Sequence, residues 1–242
     1  MKPLITIITP TTGSDQVRQA VDSVERQTYE NIQHLVIVDG FDKYGVKATQ
    51  VLDGTKSFNF SLPYNTGYDN YNGHRIYAAM SYIAQGDFIC FLDQDNWFES
   101  NHIQSLVDVI NQGNQWAYSL RKITDKDGNY VCNDDCESLG KWQSCLNDNF
   151  VDVGCYFFPK DLAWQLSPIW YRKAREPNVP EVDRMLMHVL KSNNTTYDTN
   201  GEYTLNYRTG NTQLSVQKEF FLRGNEHMKQ KYNGEYPWRK KI

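Results

Sequence analysis

The sequence has few cysteines and no long apolar run. Its five cysteines are odd in number and irregularly spaced over 242 residues, which excludes a regular disulfide framework. No apolar stretch approaches the roughly 20 residues of a membrane-spanning helix. The N-terminus, MKPLITIITP, carries no cleavable signal pattern. We therefore expect a protein of a reducing, cytoplasmic compartment with no integral membrane segment.

The chain also has no excess of basic charge. The formal net charge is −4, so no overall positive field attracts nucleic acid, and we expect no nucleic-acid partner. Cys132 and Cys136 are separated by three residues, but neither a second pair nor a ligand histidine follows at a zinc-site spacing. Reduced thiols are favoured there over a zinc site. With 40% hydrophobic residues, the chain is long enough for one sizeable α/β domain or two small ones.

The first half of the chain alternates between strand and helix patterns. Apolar, β-branched runs predict strands at 4–10, 33–40, 57–64 and 88–92, and helical spacing predicts helices at 14–27, 73–86 and 100–113. Ser14 or Asp15 is expected to cap the first helix, and Gly86 to end the second. This order favours an α/β fold with a central, mostly parallel sheet flanked by helices.

Polar residues lie at the carboxyl ends of three of the predicted strands. They are Thr9-Pro10-Thr11, Asp39-Gly40 and the segment Asp93–Asp95. In open α/β sheets, ligands bind outside the carboxyl ends of the strands. We therefore expect these three segments to share one edge and to form a binding site.

The sequence FICFLDQDNWF (88–98) ends a buried strand in two carboxylates, Asp93 and Asp95. Residues two apart on an extended segment point to the same side, and two carboxylates in a small volume repel unless a cation lies nearby. Magnesium and manganese are commonly held by one or two carboxylates together with substrate phosphates. The alternative is a polar turn that caps the next helix. The position after a buried strand favours the metal.

Two segments resemble family-2 glycosyltransferases. The first is PLITIITPTTGSDQVRQAVDSVERQTYENIQHLVIVDG, and the second is YNTGYDNYNGHRIYAAMSYIAQGDFICFLDQDNWF. Together they follow the family's order and spacing over residues 3–98, whereas the C-terminal half matches less well. The resemblance implies a GT-A fold, a single Rossmann-like domain, and transfer of a sugar from a nucleotide diphosphate donor.

The resemblance also implies roles for individual residues. The first strand end would hold the nucleotide, Asp39 would contact the base, and Arg75 would lie near the nucleotide or its phosphates. Asp93 would lie nearer the ribose, and Asp95 would bind Mn²⁺ or Mg²⁺. The nucleotide-sugar site would thus comprise Thr9, Pro10, Thr11, Asp39, Asn65, Gly67, Arg75, Asp93 and Gln94, with Asp95 and Asp93 on the metal. The sequence departs from the family at VDGF, where D-D-G-S is frequent, and at Asn96, where a further Asp is frequent.

An inverting transfer also requires a general base for the acceptor hydroxyl. The segment NVPEVDRMLMHVLKSN (178–193) predicts a helix whose first turn contains Glu181 and Asp183. The family often places its base in an acidic motif at such a helix start, and the following Arg-x-Leu favours Asp183 over Glu181. Both acids could instead complement the helix dipole. Asp152 is a third candidate.

No Q-x-x-R-W motif appears, which favours addition of single sugars over processive synthesis. The expected partners are a nucleotide-diphospho-sugar, most simply a UDP-sugar, and a hydroxyl acceptor on a glycan, a lipid-linked molecule or a protein. A sugar nucleotidyltransferase is disfavoured because TPTTGSDQ has one glycine and no basic residue. A non-catalytic binding module is a further alternative.

For the remainder, we predict a GT-A domain over 1–215, with a donor half (1–98) and an acceptor half (99–215), and a C-terminal helical extension at 216–242. Within the acceptor half, residues 201–216 are predicted to form a final strand and a loop that brings Tyr207 and Arg208 near the diphosphate.

Overall fold

A computed structural model describes residues 2–68, 71–142, 150–171, 182–193, 195–211 and 215–239. Of Asp183, only the backbone is described. Pro180 and Glu181 lie outside the described residues.

The first half forms a parallel sheet as expected. Its elements are β1 (Ile5–Thr11), α1 (Val17–Glu25), β2 (Ile32–Asp39), α2 (Phe41–Leu52), β3 (Phe58–Leu62), α3 (His74–Ile83) and β4 (Phe88–Phe91). β1 lies between β2 and β4, with Thr9 opposite Val36 and Ile8 opposite Phe91. Every residue of β1 is buried, as its β-branched run predicts for a strand covered on both faces.

The second half adds strands that pair in both parallel and antiparallel directions. Its elements are β5 (Trp97–Phe98), α4 (His102–Ile110), β6 (Trp116–Thr124), β7 (Tyr130–Asn133), β8 (Tyr156–Pro159), α5 (Lys160–Trp170), α6 (Val182–Ser192), β9 (Tyr197–Arg208) and α7 (Lys218–Tyr232). The described strands form one sheet in the order β3-β2-β1-β4-β8-β6-β9-β5, with β7 beside β6. The longest ladders, β1–β2 and β6–β9, are parallel, whereas β8 is antiparallel to both of its neighbours. The sheet is therefore mostly parallel, as predicted.

Helices cover both faces of this sheet. On one face, α1 and α2 pack on β2 through a cluster of small aliphatic side chains: Val17, Val21, Val36, Val38, Ala48 and Leu52. On the main core side, Tyr77 of α3 and Trp170 of α5 pack around Phe91 of β4. Of the described helices, none has both the length and the apolar character needed to cross a membrane.

Several local expectations were wrong. The residue before α1 is Gln16, so this helix begins later than predicted, although the Ser14 hydroxyl accepts a hydrogen bond from the Gln16 amide (3.3 Å). Helix α3 ends at Ile83, before Gly86. Gly86 instead passes so close to β1 that a Cβ atom there would lie 2.5 Å from the Thr6 nitrogen. Helix α2 was not predicted. Its sequence, FDKYGVKATQVL, contains Gly45, and its apolar residue Val46 lies on the exposed face, so the helical pattern of apolar residues is weak.

The predicted C-terminal extension, residues 216–242, contains helix α7 (Lys218–Tyr232). α7 packs on β6 and β7 through Phe221 and Met228, which share a small apolar cluster with Ile123 and Cys136. The division of the chain at residue 215 stays a prediction.

Candidate active site

The carboxyl ends of β1, β2 and β4 lie side by side and bring the three predicted segments together. Gln94, between the two aspartates, accepts hydrogen bonds through Oε1 from the Thr11 hydroxyl (2.8 Å) and the Thr12 amide (3.0 Å). These contacts fix the loop after β4 against the end of β1. Thr9 lies deeper, since its hydroxyl is buried and hydrogen-bonded to the His34 ring (2.9 Å). A functional contribution of Thr9 would therefore come from its backbone.

Pro10 shapes the neighbouring helix start. Gly73, immediately before α3, lies so close that a Cβ atom there would be 2.4 Å from Cγ of the Pro10 ring. The close approach seats the first turn of α3, which carries His74 and Arg75, against the end of β1.

Asp39 holds a turn in place. Its Oδ1 accepts from the Thr66 amide (2.7 Å), and its Oδ2 accepts from the Gly67 amide (3.0 Å) and the Asn65 side chain (3.1 Å). Asn65 also donates to the Asp39 carbonyl oxygen (3.1 Å). Asp39 is buried, so its carboxylate is the centre of a well-defined loop at the end of β2. The structure thus joins Asp39, Asn65 and Gly67, three residues of the predicted nucleotide-sugar site, in one hydrogen-bonded turn.

Arg75 lies among tyrosines. Its guanidinium donates to the Thr66 carbonyl oxygen (3.0 Å) and lies 3.8 Å from the centre of the Tyr71 ring. The rings of Tyr68 and Tyr171 are 4.7 and 5.4 Å away. A hydrogen bond with Tyr68 is the main cause that raises the pKa of Arg75. Arg75 therefore adjoins the loop that Asp39 holds, with its charge stacked on aromatic faces.

Asp93 is held from α3. The buried Tyr77 hydroxyl donates to its Oδ1 at 2.5 Å. Burial first, and then the charge of Asp93, raises the pKa of Tyr77 well above its usual value, so the phenol stays a donor. No sequence motif predicts this contact, although the helical spacing predicts that Tyr77 is buried.

Asp95 is held by two residues at and just after the end of β9. Its Oδ2 accepts from the Asn211 side chain (2.6 Å), and its carbonyl oxygen accepts from Nε of Arg208 (3.0 Å). Burial raises the pKa of Asp95, although the Asn211 hydrogen bond and the charge of Arg208 act in the opposite direction. The described residues include no lysine or arginine in an ion pair with this carboxylate.

Arg208 ends β9 and lies beside the loop that carries Asp93 and Asp95, and its place near the diphosphate stays a prediction. It also donates to the Gln19 side chain (2.5 Å) and packs on Trp97 at 4.9 Å. Its neighbour Tyr207 lies instead near Arg121, 4.5 Å from the guanidinium. Asn211 was not predicted, since a loop asparagine carries no distinguishing pattern.

A cavity of about 320 Å³ opens beside Asp93. Its lining is rich in charge and includes residues from both halves of the chain: Asn72, His74, Asp93, Arg121, Glu137, Phe150, Asp152, Val153, Arg184, Tyr207 and Val216. Three carboxylates and two guanidinium groups therefore line it, and Asp95 adds a further carboxylate nearby. The described charges around the cavity have a negative excess, which a divalent cation would offset.

Arg121 is the most buried charge of this lining. It forms ion pairs with Asp134 (2.9 Å), Glu137 (2.6 Å) and Asp152. The carboxylates keep this guanidinium charged although burial opposes it. Asp152 accepts in addition from the Gly154 amide (3.0 Å), so its orientation is fixed from two sides.

The three candidate general bases differ in how the structure places them relative to the cavity. Asp152 lines the cavity with Asp93. Asp183 lies in the first turn of α6, and Arg184, the next residue, reaches the cavity. Glu181 falls outside the described residues, so its position stays a prediction.

The metal prediction rests on two carboxylates. Among the described residues, no group of three histidine, cysteine, aspartate or glutamate side chains is placed to hold a metal ion. Asp93 and Asp95 fit a magnesium or manganese ion that takes its remaining ligands from a diphosphate and water. Asp95 is half-buried, and its partial burial raises the pKa of its carboxyl, so a nearby cation would favour the charged form.

His102 is a core residue. It is fully buried, stacked on Phe98 at 3.8 Å and hydrogen-bonded to the Thr204 hydroxyl (2.8 Å). It is part of the core between α4 and β9 and lies outside the cavity lining.

Known proteins match this chain in sequence and in fold. An uncharacterized glycosyltransferase of Rickettsia bellii (strain RML369-C) is 25% identical over 136 residues, which cover 53% of this chain and 19% of that protein. One of Rickettsia felis (strain ATCC VR-1525 / URRWXCal2) is 28% identical over 114 residues, 46% of this chain and 18% of that protein. The chain thus spans less than a fifth of the length of these relatives.

Solved structures match over most of the chain. The crystal structure of S. aureus TarS 1-349 has a TM-score of 0.61 at 12% identity, covering 85% of this chain and 60% of that one. TarS 1-349 in complex with UDP-GlcNAc gives 0.59 at 12% identity, covering 93% and 65%. These matches show a GT-A fold. The model of the family described as "Glycosyl transferase family 2" matches residues 6–158, so this chain belongs to glycosyltransferase family 2.

Proposed function

We propose that the protein transfers single hexosyl residues, with inversion, from a UDP-sugar to a hydroxyl acceptor, assisted by a divalent metal ion. The observation that carries the proposal is that the carboxyl ends of β1, β2 and β4 lie side by side at one sheet edge. Gln94, between Asp93 and Asp95, is hydrogen-bonded to the end of β1, the strand next to the one that carries Asp39, and Asp93 also lines a charged cavity. TarS, which shares the fold, has been crystallised with UDP-GlcNAc and with UDP.

The nucleotide would lie along the ends of β1 and β2. Asp39 has about four acceptor positions as a carboxylate, and the loop donors use three of them. The remaining position on Oδ1 suits an N–H donor of a uracil-type base. The backbone of Thr9–Thr11 and of the Asn65–Gly67 turn would line the rest of the nucleotide.

Asp95, with Asp93, would hold Mn²⁺ or Mg²⁺. When bound, the ion would neutralise charge on the departing diphosphate. Tyr77 keeps Asp93 oriented, and Asn211 does the same for Asp95. Arg208 lies against the same loop and would add positive charge on the diphosphate side.

The transfer itself would be an in-line displacement. The acceptor oxygen forms a bond to the anomeric carbon as the bond from that carbon to the diphosphate oxygen breaks, and the acceptor proton passes to a carboxylate. Asp183 is the favoured base, with Glu181 as the alternative. Asp152 is fixed by Arg121 and the Gly154 amide and would accept a hydrogen bond from a sugar or acceptor hydroxyl in the cavity.

The acceptor would be a hydroxyl on a glycan, a lipid-linked molecule or a protein. We also propose a cytoplasmic location. It is supported by four described cysteines that are free thiols, three of them buried, as in proteins of reducing compartments.

Calorimetric titration with UDP, with and without Mn²⁺, tests the donor site. We expect Mn²⁺ to tighten UDP binding in the wild type, and Asp95→Asn to weaken the Mn²⁺-dependent binding by about tenfold or more, because a charge-assisted ligand is worth at least about 1.4 kcal/mol. Asp108→Asn, an exposed carboxylate of α4, is the matched control and should bind as the wild type does.

Release of UDP from a panel of UDP-sugars then tests the reaction. Turnover that requires Mn²⁺ or Mg²⁺ and is lost in Asp95→Asn would support the full proposal. Binding without any metal effect would remove the ion from it. Failure to bind UDP and all other nucleotide diphosphates would refute the proposed function while leaving the fold intact.

A further inference from the structure

Glu137 bridges two arginines from different parts of the fold. One carboxylate oxygen, Oε2, accepts from Arg121 of β6 at 2.6 Å, and the other, Oε1, accepts from Arg184 of α6 at 3.0 Å. The Glu137 side chain is 13% exposed and lines the cavity beside Asp93. No motif of the sequence singles this residue out, and the proposed reaction gives it no role.

Arg121 is a fixed point, and Glu137 is not needed to neutralise it. The Arg121 side chain is 3% exposed and already faces Asp134 and Asp152. A third carboxylate on a single guanidinium would leave an excess of negative charge in a buried place, which is unfavourable. Arg184 supplies the second cation. The Glu137–Arg184 pair is therefore the part of the network that reduces the charge imbalance.

Arg184 lies in the first turn of α6, one residue after Asp183. Its guanidinium stacks 4.3 Å from the centre of the Phe150 ring while it donates to Glu137. On its apolar side, α6 is seated in the core by Val182, Leu186, Met187 and Leu190, all buried. The apolar contacts hold the helix against the domain, and the Arg184–Glu137 pair adds a directional contact on the cavity side at the turn that carries Asp183.

We propose that Glu137 is a positioning residue for sugar transfer: by clamping Arg184 to the fixed Arg121, it sets the first turn of α6, and with it Asp183, beside the cavity. This inference rests on the proposed function, in which Asp183 is the favoured base. Glu137 need not touch the donor or the acceptor. Removing its charge should therefore reduce the rate of transfer without reducing nucleotide affinity.

The kinetic test uses Glu137→Gln, which keeps the shape of the side chain and removes its charge. Since a displacement of about 1 Å in a reacting group can cost about 100-fold in rate, we expect kcat for UDP release from the best UDP-sugar to fall about 10- to 100-fold. The Kd for UDP should change by less than about twofold, because Glu137 is not proposed to contact the bound nucleotide. Glu202→Gln, a carboxylate hydrogen-bonded to Asn101 and outside the cavity lining, is the matched control.

The Asp183→Asn background shows whether Glu137 acts through Asp183. If it does, adding Glu137→Gln to Asp183→Asn should change kcat by less than about twofold, because groups that act as one unit are not additive. An undiminished loss in that background would overturn the inference, as would a wild-type kcat in Glu137→Gln alone. Arg184→Met, which leaves Glu137 on Arg121, should reproduce the loss and serves if Glu137→Gln does not fold.

Hydrogen exchange provides a readout that does not depend on activity. Amides of residues 186–188 donate to carbonyl groups of the first turn of α6, so loosening of that turn exposes them. We expect their exchange to be about tenfold faster in Glu137→Gln and Arg184→Met, equal to about 1.4 kcal/mol of local opening. Exchange in β1 and β4 should be unchanged. Unaltered exchange at 186–188 would refute the positioning role, whereas wild-type protein that releases no UDP from any donor would refute the proposed function alone.

Discussion

Replacement of Asp39 by asparagine tests how the loop at the end of β2 contributes to nucleotide binding. In the wild type, both carboxylate oxygens accept backbone amides, Oδ1 from Thr66 and Oδ2 from Gly67. An asparagine has one oxygen and one NH₂ group in these positions. In either orientation, its NH₂ group would face a backbone N–H, so at least one hydrogen bond is lost and two donors oppose each other.

The expected loss of stability or of UDP affinity can be worked out from these hydrogen bonds. A hydrogen bond to a charged group contributes about 1.5–3 kcal/mol, and Asp39 is only 3% exposed, so water cannot easily replace the missing partner. If the loop stays in place, the free energy of unfolding should fall by roughly that amount. If the loop detaches, most of the cost should appear instead as UDP affinity, about 10- to 100-fold weaker.

Chemical denaturation and UDP calorimetry on the same preparation measure both quantities. Asp42→Asn is the control, because Asp42 is an exposed carboxylate in the first turn of α2, three residues away. It should leave both values unchanged. Wild-type stability together with wild-type UDP affinity in Asp39→Asn would refute the reasoning, since the buried hydrogen bonds would then contribute nothing to either state.

Two further predictions concern buried groups. Tyr77→Phe removes the hydrogen bond to Asp93 and should lower the free energy of unfolding by about 1 kcal/mol and the Mn²⁺-dependent UDP affinity several-fold. The control is Tyr29→Phe: the Tyr29 hydroxyl donates to the Pro3 carbonyl oxygen, so its removal should lower stability alone. Burial lowers the pKa of His34 to about 3, and that of His102 to about 3, from about 6.5 in an unfolded chain. Unfolding therefore takes up a proton at each ring below pH 6.5, and stability should fall as the pH drops from 6.5 towards 3, by about 1.4 kcal/mol per pH unit per histidine. His102→Gln should flatten this slope by one proton relative to the exposed His227→Gln, and an equal slope in both variants would contradict the burial argument.

The first half of the site could be predicted because its signals are local. β-branched runs end at Thr9–Thr11, at Asp39 and before Asp93, and a parallel sheet brings such ends to one edge. Contacts between these segments could not be predicted in the same way. Whether Asp39 faces a ligand or the amides of Thr66 and Gly67 depends on the path of a loop that begins over twenty residues later.

Helix α2 and the end of α3 show a similar limit. In α2, the apolar positions Ala48 and Leu52 face β2, but Gly45 and the exposed Val46 blur the helical pattern. At Gly86, a glycine near a helix end suggested a cap, yet the residue is required by the close passage of the chain beside Thr6. Tertiary packing decided both cases, and a local pattern carries little information about it.

The second half of the site is explained by the direction of one strand. β8 is antiparallel to both β4 and β6, with Phe157 opposite Cys90 and Ala117. Its amino end therefore meets the carboxyl ends of its neighbours, so that Asp152, which precedes β8, arrives beside Asp93 and Arg121. β9 runs parallel to β6 and delivers Arg208 at its own carboxyl end, next to Asp95. The rule that site residues follow a strand thus identifies Asp93 and Arg208 but overlooks Asp152. Reversing one strand in the middle of the sheet places carboxylates from both halves of the chain around a single cavity.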